Sequence, residues 1–233
     1  MRPVNIHTFE SADKLAENLA DEIADSLAKA IKERGQACMV VSGGSTPKLL
    51  FHRLSLKKID WQKITITLAD ERWVSTTDNS SNELLVRSQL LQNHANCAHF
   101  IGLKNNAPTA VDGEQACHYA VGMIPRPFDV VILGMGNDGH TASFFPGAEE
   151  LNEALDMLSG RHCIAIAPPD APHKRLTLTL PTLIDSRKII LHITGDSKKK
   201  VLDKVLTEGL PNDMPISWIL KQQQTPVRIF WAP

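Results

Sequence analysis

A chain of 233 residues can bury roughly 70% of the surface that its unfolded form exposes, so one core suffices and no covalent staple is needed. A formal net charge of -1 excludes the basic excess with which nucleic-acid-binding chains meet phosphate backbones. Cys38, Cys97, Cys117 and Cys163 form no CxxC pair and read as reduced residues of a cytoplasmic protein, while no apolar run is long enough to span a membrane and Met1 to Asn5 lacks an apolar leader core.

Leu15, Leu19, Ile23, Leu27 and Ile31 recur every four residues and predict a helix from Ala12 to Arg34, stopped by Gly35. Ala37 to Val41 then reads as a short buried strand, Ser42 to Thr46 as a polar turn, and Pro47 as the first turn of a helix running to about Leu54. A second unit has Ile64 to Leu68 as strand, Asp70-Glu71-Arg72 at its end, and a helix from about Ser80 to Leu91. A helix over Gly113 to Val121 precedes a strand from Phe128 to Leu133 and the glycine-dense turn Gly134 to His140. Further elements are a helix over Leu151 to Leu158, a strand over His162 to Ala167, a buried strand over Lys188 to Ile193, a helix Ser197 to Leu206 capped by Asp196, and a last strand over Val227 to Trp231. Largely apolar strands alternating with helices predict an α/β fold, a three-layer sandwich whose mainly parallel sheet is covered on both faces. No repeat or long linker divides the chain, so residues 1–233 read as one domain.

Three polar loops follow apolar strands, where open parallel sheets bind ligands. Ser42-Gly43-Gly44-Ser45-Thr46-Pro47 offers hydroxyls and free helix-start N–H groups to an anion, but lacks the GK[ST] ending of a nucleotide loop and the GxGxxG dinucleotide spacing. A small phosphorylated metabolite is the expected ligand. In the second loop Arg72 can stabilise negative charge, and Asp70 or Glu71 can bind hydroxyls or orient a base; taken alone, this triplet reads more readily as a solvated turn, and its place beside two other polar loops favours the site reading. In the third, His140 is the candidate general base, and Asp138 its neighbour, able to fix the tautomer or bind substrate. No GxSxG elbow precedes Ser143, so attack by activated water is the simpler scheme, and the histidine and carboxylate spacings of metal sites are absent. Arg175 and Lys198, each near the start of an element, are further cations for an anion, whereas Lys199 and Lys200 read as a solvated helix face.

Taken in order, Ser42 to Pro47, Asp70-Glu71-Arg72-Trp73-Val74 with Asp78 and Ser81-Asn82-Glu83, Leu133 to Gly147, and Arg175-Leu176-Thr177-Leu178-Thr179 resemble the 6-phosphogluconolactonase family over nearly the whole chain. The resemblance implies a modified Rossmann arrangement and hydrolysis of 6-phosphogluconolactone in the pentose phosphate pathway, without cofactor or metal. It implies His140 as base for water, Asp138 beside it, Arg72 as the charge-stabilising group, and Ser42, Gly43, Gly44, Ser45, Thr46, Arg175 and Lys198 around the phosphate. Asp70 joins the substrate-binding set. The expected partner is a small phosphorylated sugar lactone, with no nucleic acid or membrane, and the expected assembly is a monomer. Glucosamine-6-phosphate deaminases share a similar glycine-Asp-Gly-His turn, but Arg72-Trp73 stands where they carry tyrosine and valine. A deaminase or isomerase and a non-catalytic sugar-phosphate sensor are the alternatives.

Overall fold

The structure is a computed structural model that describes residues 5–208 and 213–233, so Met1 to Val4 of the leader reading lie outside the described residues. Strand β1 (Asn5–Thr8) leads into helix α1 (Ala12–Arg34), where Leu15, Leu19, Ile23 and Leu27 are fully buried on the predicted stripe. Each such side chain contributes about 1.5–3 kcal/mol by leaving water. The Ser11 side chain accepts from the Lys14 N–H at 3.3 Å to cap α1 at its start. At its end Gly35 takes the left-handed conformation, φ 78°, and returns its N–H to the Ile31 carbonyl.

Strand β2 (Ala37–Val41) and helix α2 (Lys48–Ser55) form the first unit, followed by β3 (Ile64–Leu68), β4 (Asp70–Arg72), α3 (Asn82–Gln89) and β5 (His99–Ile101). Helix α4 (Ala110–Gly122) leads to β6 (Val130–Leu133); then come α5 (Leu151–Leu155), β7 (Cys163–Ile166), β8 (Arg175–Leu178) and α6 (Leu180–Ile184). Strand β9 (Ile189–Thr194), α7 (Asp196–Thr207), α8 (Ile216–Lys221) and β10 (Val227–Ala232) complete the described elements.

Seven strands form one parallel sheet in the order β1-β10-β9-β6-β2-β3-β5. Every residue of β2 and β6 is buried, as expected for strands covered on both faces. From β2 the chain steps outward on one side to β3 and later returns to β6 on the other. The crevice beyond the ends of β2 and β6 is therefore the place where the winding reverses, and ligands bind such crevices. At the opposite end of the same strands Asp129 accepts from the Cys38 N–H at 2.9 Å and pairs with Arg34 and Arg187, fastening β2 and β6 to their surroundings.

The α/β architecture agrees with the expectation from the sequence, with particular differences. β4, β8 and β7 form a second, antiparallel sheet of three strands. The strand read over His162 to Ala167 is therefore real but belongs outside the parallel sheet. Backbone pairing creates β4 from three charged residues: the Ala69 N–H meets the Val41 carbonyl at 2.8 Å, while the Ala69 carbonyl meets the Leu178 N–H at 2.8 Å, carrying the chain from one sheet to the other. Helix α4 begins three residues earlier than read because the Thr109 hydroxyl caps it. α5 stops at Leu155, short of Leu158, and α3 is shorter at both ends than the predicted span. Asp196 is not the cap of α7: Gly195 occupies that position at φ 90° without a side-chain cap, and Asp196 begins the helix.

Candidate active site

A cavity of about 220 Å³ opens at the β2–β6 crevice. The Ser42 N–H still pairs with the Ile132 carbonyl at 3.0 Å, so the Ser42 loop leaves the sheet directly beside the glycine turn. Gly44 turns the loop at φ 97°, a conformation strained for L side chains, and a side chain at Gly43 would collide with Asn82. The backbone of this loop therefore lies close against α3. Ser42, Gly43, Gly44, Ser45 and Thr46 all line the cavity, presenting small groups and backbone rather than bulk.

Buried polar atoms lacking partners gather here. Among the described residues, seven side chains carry such an atom, and five of them line this cavity: Ser42, Arg72, Asn82, Arg175 and His192. Enclosed polar groups are normally paired, because leaving one unpaired costs about 1–3 kcal/mol. Their concentration around one cavity marks a surface built to pair with a polar ligand.

The second sheet forms another wall. Strands β4 and β8 put Arg72 directly opposite Arg175, with both side chains lining the cavity. Arg72 Nη1 donates to the Ser80 carbonyl at 2.6 Å, fixing one side of its guanidinium. Burial lowers the pKa of Arg175, Asp70 counters it from 3.7 Å, and neighbouring Arg72 lowers it further. Asp70 accepts from the Ser143 hydroxyl at 2.6 Å and from the Asn82 amide at 3.3 Å. Ser143 is thus committed to Asp70 and lies fully buried.

Glu71 does something other than bind hydroxyls or orient a base. Its fully buried carboxylate accepts from the Arg72, Asn82 and Glu83 N–H groups at 2.7–2.8 Å and from the Ser81 hydroxyl at 2.9 Å. It anchors the start of α3 to β4. Burial pushes its pKa up, with these donors pulling in the opposite direction.

The glycine turn supplies the third wall. The Gly136 N–H meets the His140 carbonyl at 2.9 Å, the Thr141 hydroxyl donates to the Gly134 carbonyl at 2.8 Å, and Gly139 reverses the chain at φ 78°. The Ile216 N–H holds the Gly139 carbonyl at 2.9 Å, tying the turn to α8. No helix begins at His140, so the ring is free of a capping role. Its Nδ1 lies 2.6 Å from Asp138 Oδ1, and the ring stacks on Phe145 with centroids 4.4 Å apart. An Nδ1–H donated to the carboxylate leaves the Nε2 lone pair available to take a proton. Burial would raise the Asp138 pKa, but hydrogen bonding and charge from His140 outweigh it and hold the carboxyl below its ordinary value. His140 lines the cavity, whereas Asp138 stands outside the lining and touches it through His140.

Lys198, in the first turn of α7, closes the remaining side with Nζ 3.5 Å from the Thr46 hydroxyl, and burial lowers its pKa. The geometry thus brings together Ser42, Gly43, Gly44, Ser45, Thr46, Asp70, Arg72, His140, Arg175 and Lys198. Two lining side chains that carry an unpaired buried polar atom escaped the sequence reading as individual site residues. Asn82 lay inside a recognised motif with no role attached, and His192 was hidden in the aliphatic run of β9. Among the described residues no three His, Cys, Asp or Glu side chains are grouped to hold a metal ion. The arrangement can bind an anion with Arg, Lys, hydroxyl and N–H groups while an oriented imidazole handles a proton.

The chain is similar to known proteins over nearly its whole length. Residues 10–231 match the family model for glucosamine-6-phosphate isomerases/6-phosphogluconolactonase. The chain is 44% identical over 229 residues to a 6-phosphogluconolactonase of Rhizobium meliloti, covering 98% of this chain and 99% of that protein. It superposes on the crystal structure of a 6-phosphogluconolactonase from Shewanella baltica with TM-score 0.97 and 46% identity, covering 100% and 99% of the two chains. A monomeric glucosamine-6-phosphate deaminase shares the fold alone, at TM-score 0.81 and 20% identity over 98% of this chain and 97% of that one. On the family match and these full-length likenesses, the chain belongs to the glucosamine-6-phosphate isomerase/6-phosphogluconolactonase family.

Proposed function

We propose that this chain, acting as one domain in the cytoplasm, hydrolyses 6-phospho-D-glucono-1,5-lactone to 6-phospho-D-gluconate, the lactonase step of the oxidative pentose phosphate pathway. The carrying observation is His140, held by Asp138 at 2.6 Å, on the wall of a cavity whose other walls hold Arg72, Arg175 and Lys198. Full-length likeness to 6-phosphogluconolactonases supports the substrate. Among the described residues no helix is long and apolar enough to cross a membrane.

In this reading the phosphate is held by the Ser42–Thr46 loop, Lys198 and Arg175, where charge-assisted bonds are strongest. Asp138 fixes the imidazole so that Nε2 accepts a proton from water as the oxygen attacks the lactone carbonyl. The carbonyl oxygen becomes an oxyanion, stabilised by Arg72 and loop N–H groups. Collapse of the tetrahedral intermediate breaks the bond to the ring oxygen, which receives the proton from His140 directly or through solvent. The new carboxylic acid releases its proton to solvent, and the product carries a carboxylate at one end and the phosphate at the other. Asp70, already engaged with Ser143 and Asn82, shapes the wall and counters Arg175.

The test is disappearance of freshly generated 6-phosphogluconolactone above its spontaneous rate, with ammonia release from glucosamine 6-phosphate followed in parallel. Rapid lactone loss without ammonia is expected. Ammonia release without accelerated lactone loss would replace the reading with a deaminase, and tight binding of sugar phosphate with neither reaction would replace it with a sensor.

A further inference from the structure

His192 is the single polar ring in the strand sequence Ile189-Ile190-Leu191-His192-Ile193-Thr194, which lies inside the parallel sheet between β10 and β6. Its flanking residues Leu191 and Ile193 are fully buried, and His192 itself is 4% exposed. An aliphatic side chain would satisfy such a position without leaving any polar atom to be paired. Instead the imidazole lines the cavity together with Ser42, Thr46 and Lys198, and its Nδ1 is enclosed without a hydrogen-bond partner. Nε2 has no protein partner among the described residues either and is not one of the enclosed atoms, so it is the ring nitrogen left open at the cavity.

Burial, reinforced by the positive charge of Lys198, lowers the pKa of His192 to about 4, so the ring is neutral near pH 7 and carries one N–H. An enclosed lone pair is better tolerated than an enclosed N–H, which assigns the proton to Nε2 and leaves Nδ1 as the unpaired acceptor. A neutral donor next to Lys198 adds a directed hydrogen bond without adding like-charge repulsion. The ligand group that suits a lysine, two hydroxyl-bearing loop residues and a neutral N–H donor is an anion with several acceptor oxygens.

We propose that His192 is a phosphate-recognition residue, whose Nε2–H donates to a phosphate oxygen of the sugar phosphate held between the Ser42–Thr46 loop and Lys198. This rests on the sugar-phosphate reading of the cavity, and it adds to the expected cations a donor that selects by direction rather than by charge. A histidine that merely packs the floor would affect phosphorylated and unphosphorylated substrates alike, whereas a phosphate donor affects only the former.

The experiment compares wild type with His192→Leu and His192→Gln. Inorganic phosphate is titrated calorimetrically, and kcat/KM is measured for 6-phosphogluconolactone and for unphosphorylated gluconolactone. His192→Leu is expected to weaken phosphate binding and lower kcat/KM for the phosphorylated lactone by about 10- to 100-fold, through KM, with little change for the unphosphorylated one. His192→Gln, which keeps an N–H donor, recovers part of both losses. Unchanged phosphate affinity in folded His192→Leu, or equal losses for the two lactones, overturns the proposal. Should His192→Leu fail to fold, nitrogen NMR of wild type decides: phosphate must shift the imidazole signal that is absent from His192→Gln, and an unmoved signal overturns the assignment. Wild-type protein that binds phosphate through His192 but does not hydrolyse lactone would sink the lactonase reading and leave this one standing.

Discussion

Arg72 and Arg175 are direct partners in the antiparallel ladder of β4 and β8, so two guanidinium side chains leave the same face of a three-stranded sheet. Like charges placed opposite one another destabilise a sheet, and here each also keeps a buried Nε without a partner. Asp70, 3.7 Å from Arg175, offsets part of the repulsion. An anion in the cavity that both residues line would relieve the remainder.

The two arginines are expected to separate kinetically. Arg175→Lys keeps a charge but loses the planar fork, and should raise KM for the phosphorylated lactone about tenfold with a smaller effect on kcat. Arg72→Lys should chiefly lower kcat, by about 100-fold, as expected for a donor used when the oxyanion forms. Steady-state kinetics on both variants checks this. Losses confined to KM in both would remove Arg72 from the reacting end of the lactone.

His140→Ala should lower kcat by about 100-fold or more while binding of 6-phosphogluconate persists. Asp138→Asn should lower kcat by at least about tenfold, because an amide no longer fixes the Nδ1–H tautomer. The depressed pKa of Asp138 sets a sign for pH dependence. Its contribution to holding the pair is present above the ordinary value of 3.8 and is lost as pH falls through the lower folded value. Asp138 is therefore ionised throughout the neutral range and should add no limb to a kcat/KM profile between about pH 5 and 8. A wild-type level of lactone turnover in His140→Ala, corrected for spontaneous hydrolysis, would eliminate His140 as the base.

Gly136→Ala separates the geometry of the pair from its chemistry. Gly136 does not require a positive φ, but a Cβ there would overlap both His140 Nδ1 and Asp138 Oδ1. The methyl group should push the imidazole and carboxylate apart with both groups still present. The expected outcome is a fall in kcat of about tenfold or more with the cooperative unfolding transition retained. A fully active Gly136→Ala enzyme would show that the 2.6 Å contact is dispensable.

The ease of reading the sequence followed the physical origin of each feature. Local signals served where they determine the structure: the four-residue stripe of α1, the aliphatic run of β6, and glycines 136 and 139, whose turn presents His140. They failed where distant backbone sets the outcome. Asp70-Glu71-Arg72 has poor strand propensity and becomes β4 only because β8, a hundred residues later, supplies its partner. His192 resembles its aliphatic neighbours in burial, and nothing in the spacing of β9 distinguishes a ring facing a cavity from one packed in the core. The Ser42 loop reads as a polar turn from sequence alone, but its closeness to Asn82, visible in the overlap that a side chain at Gly43 would cause, needs the folded chain.

Glu71 gives a stability prediction of a different kind. Three N–H groups and one hydroxyl converge on its fully buried carboxylate, an arrangement in which every partner is a donor. In Glu71→Gln, one oxygen becomes an NH2 that faces donors it cannot accept from, so buried N–H groups at the start of α3 lose their acceptor. The expected loss is about 2 kcal/mol or more. The Asn82 and Arg72 positions should be disturbed with it, since both N–H groups are held by the same carboxylate oxygen. Because burial raises the folded pKa of Glu71, the stability linked to its protonation is full below the ordinary value of 4.5 and is lost as pH rises through the raised value. Glu71→Gln removes that titration, so in denaturant unfolding at several pH values wild type should gain stability relative to the variant as pH falls toward 4.5. A variant as stable as wild type near pH 7, with the same pH slope, would mean that α3 is anchored by contacts other than this carboxylate.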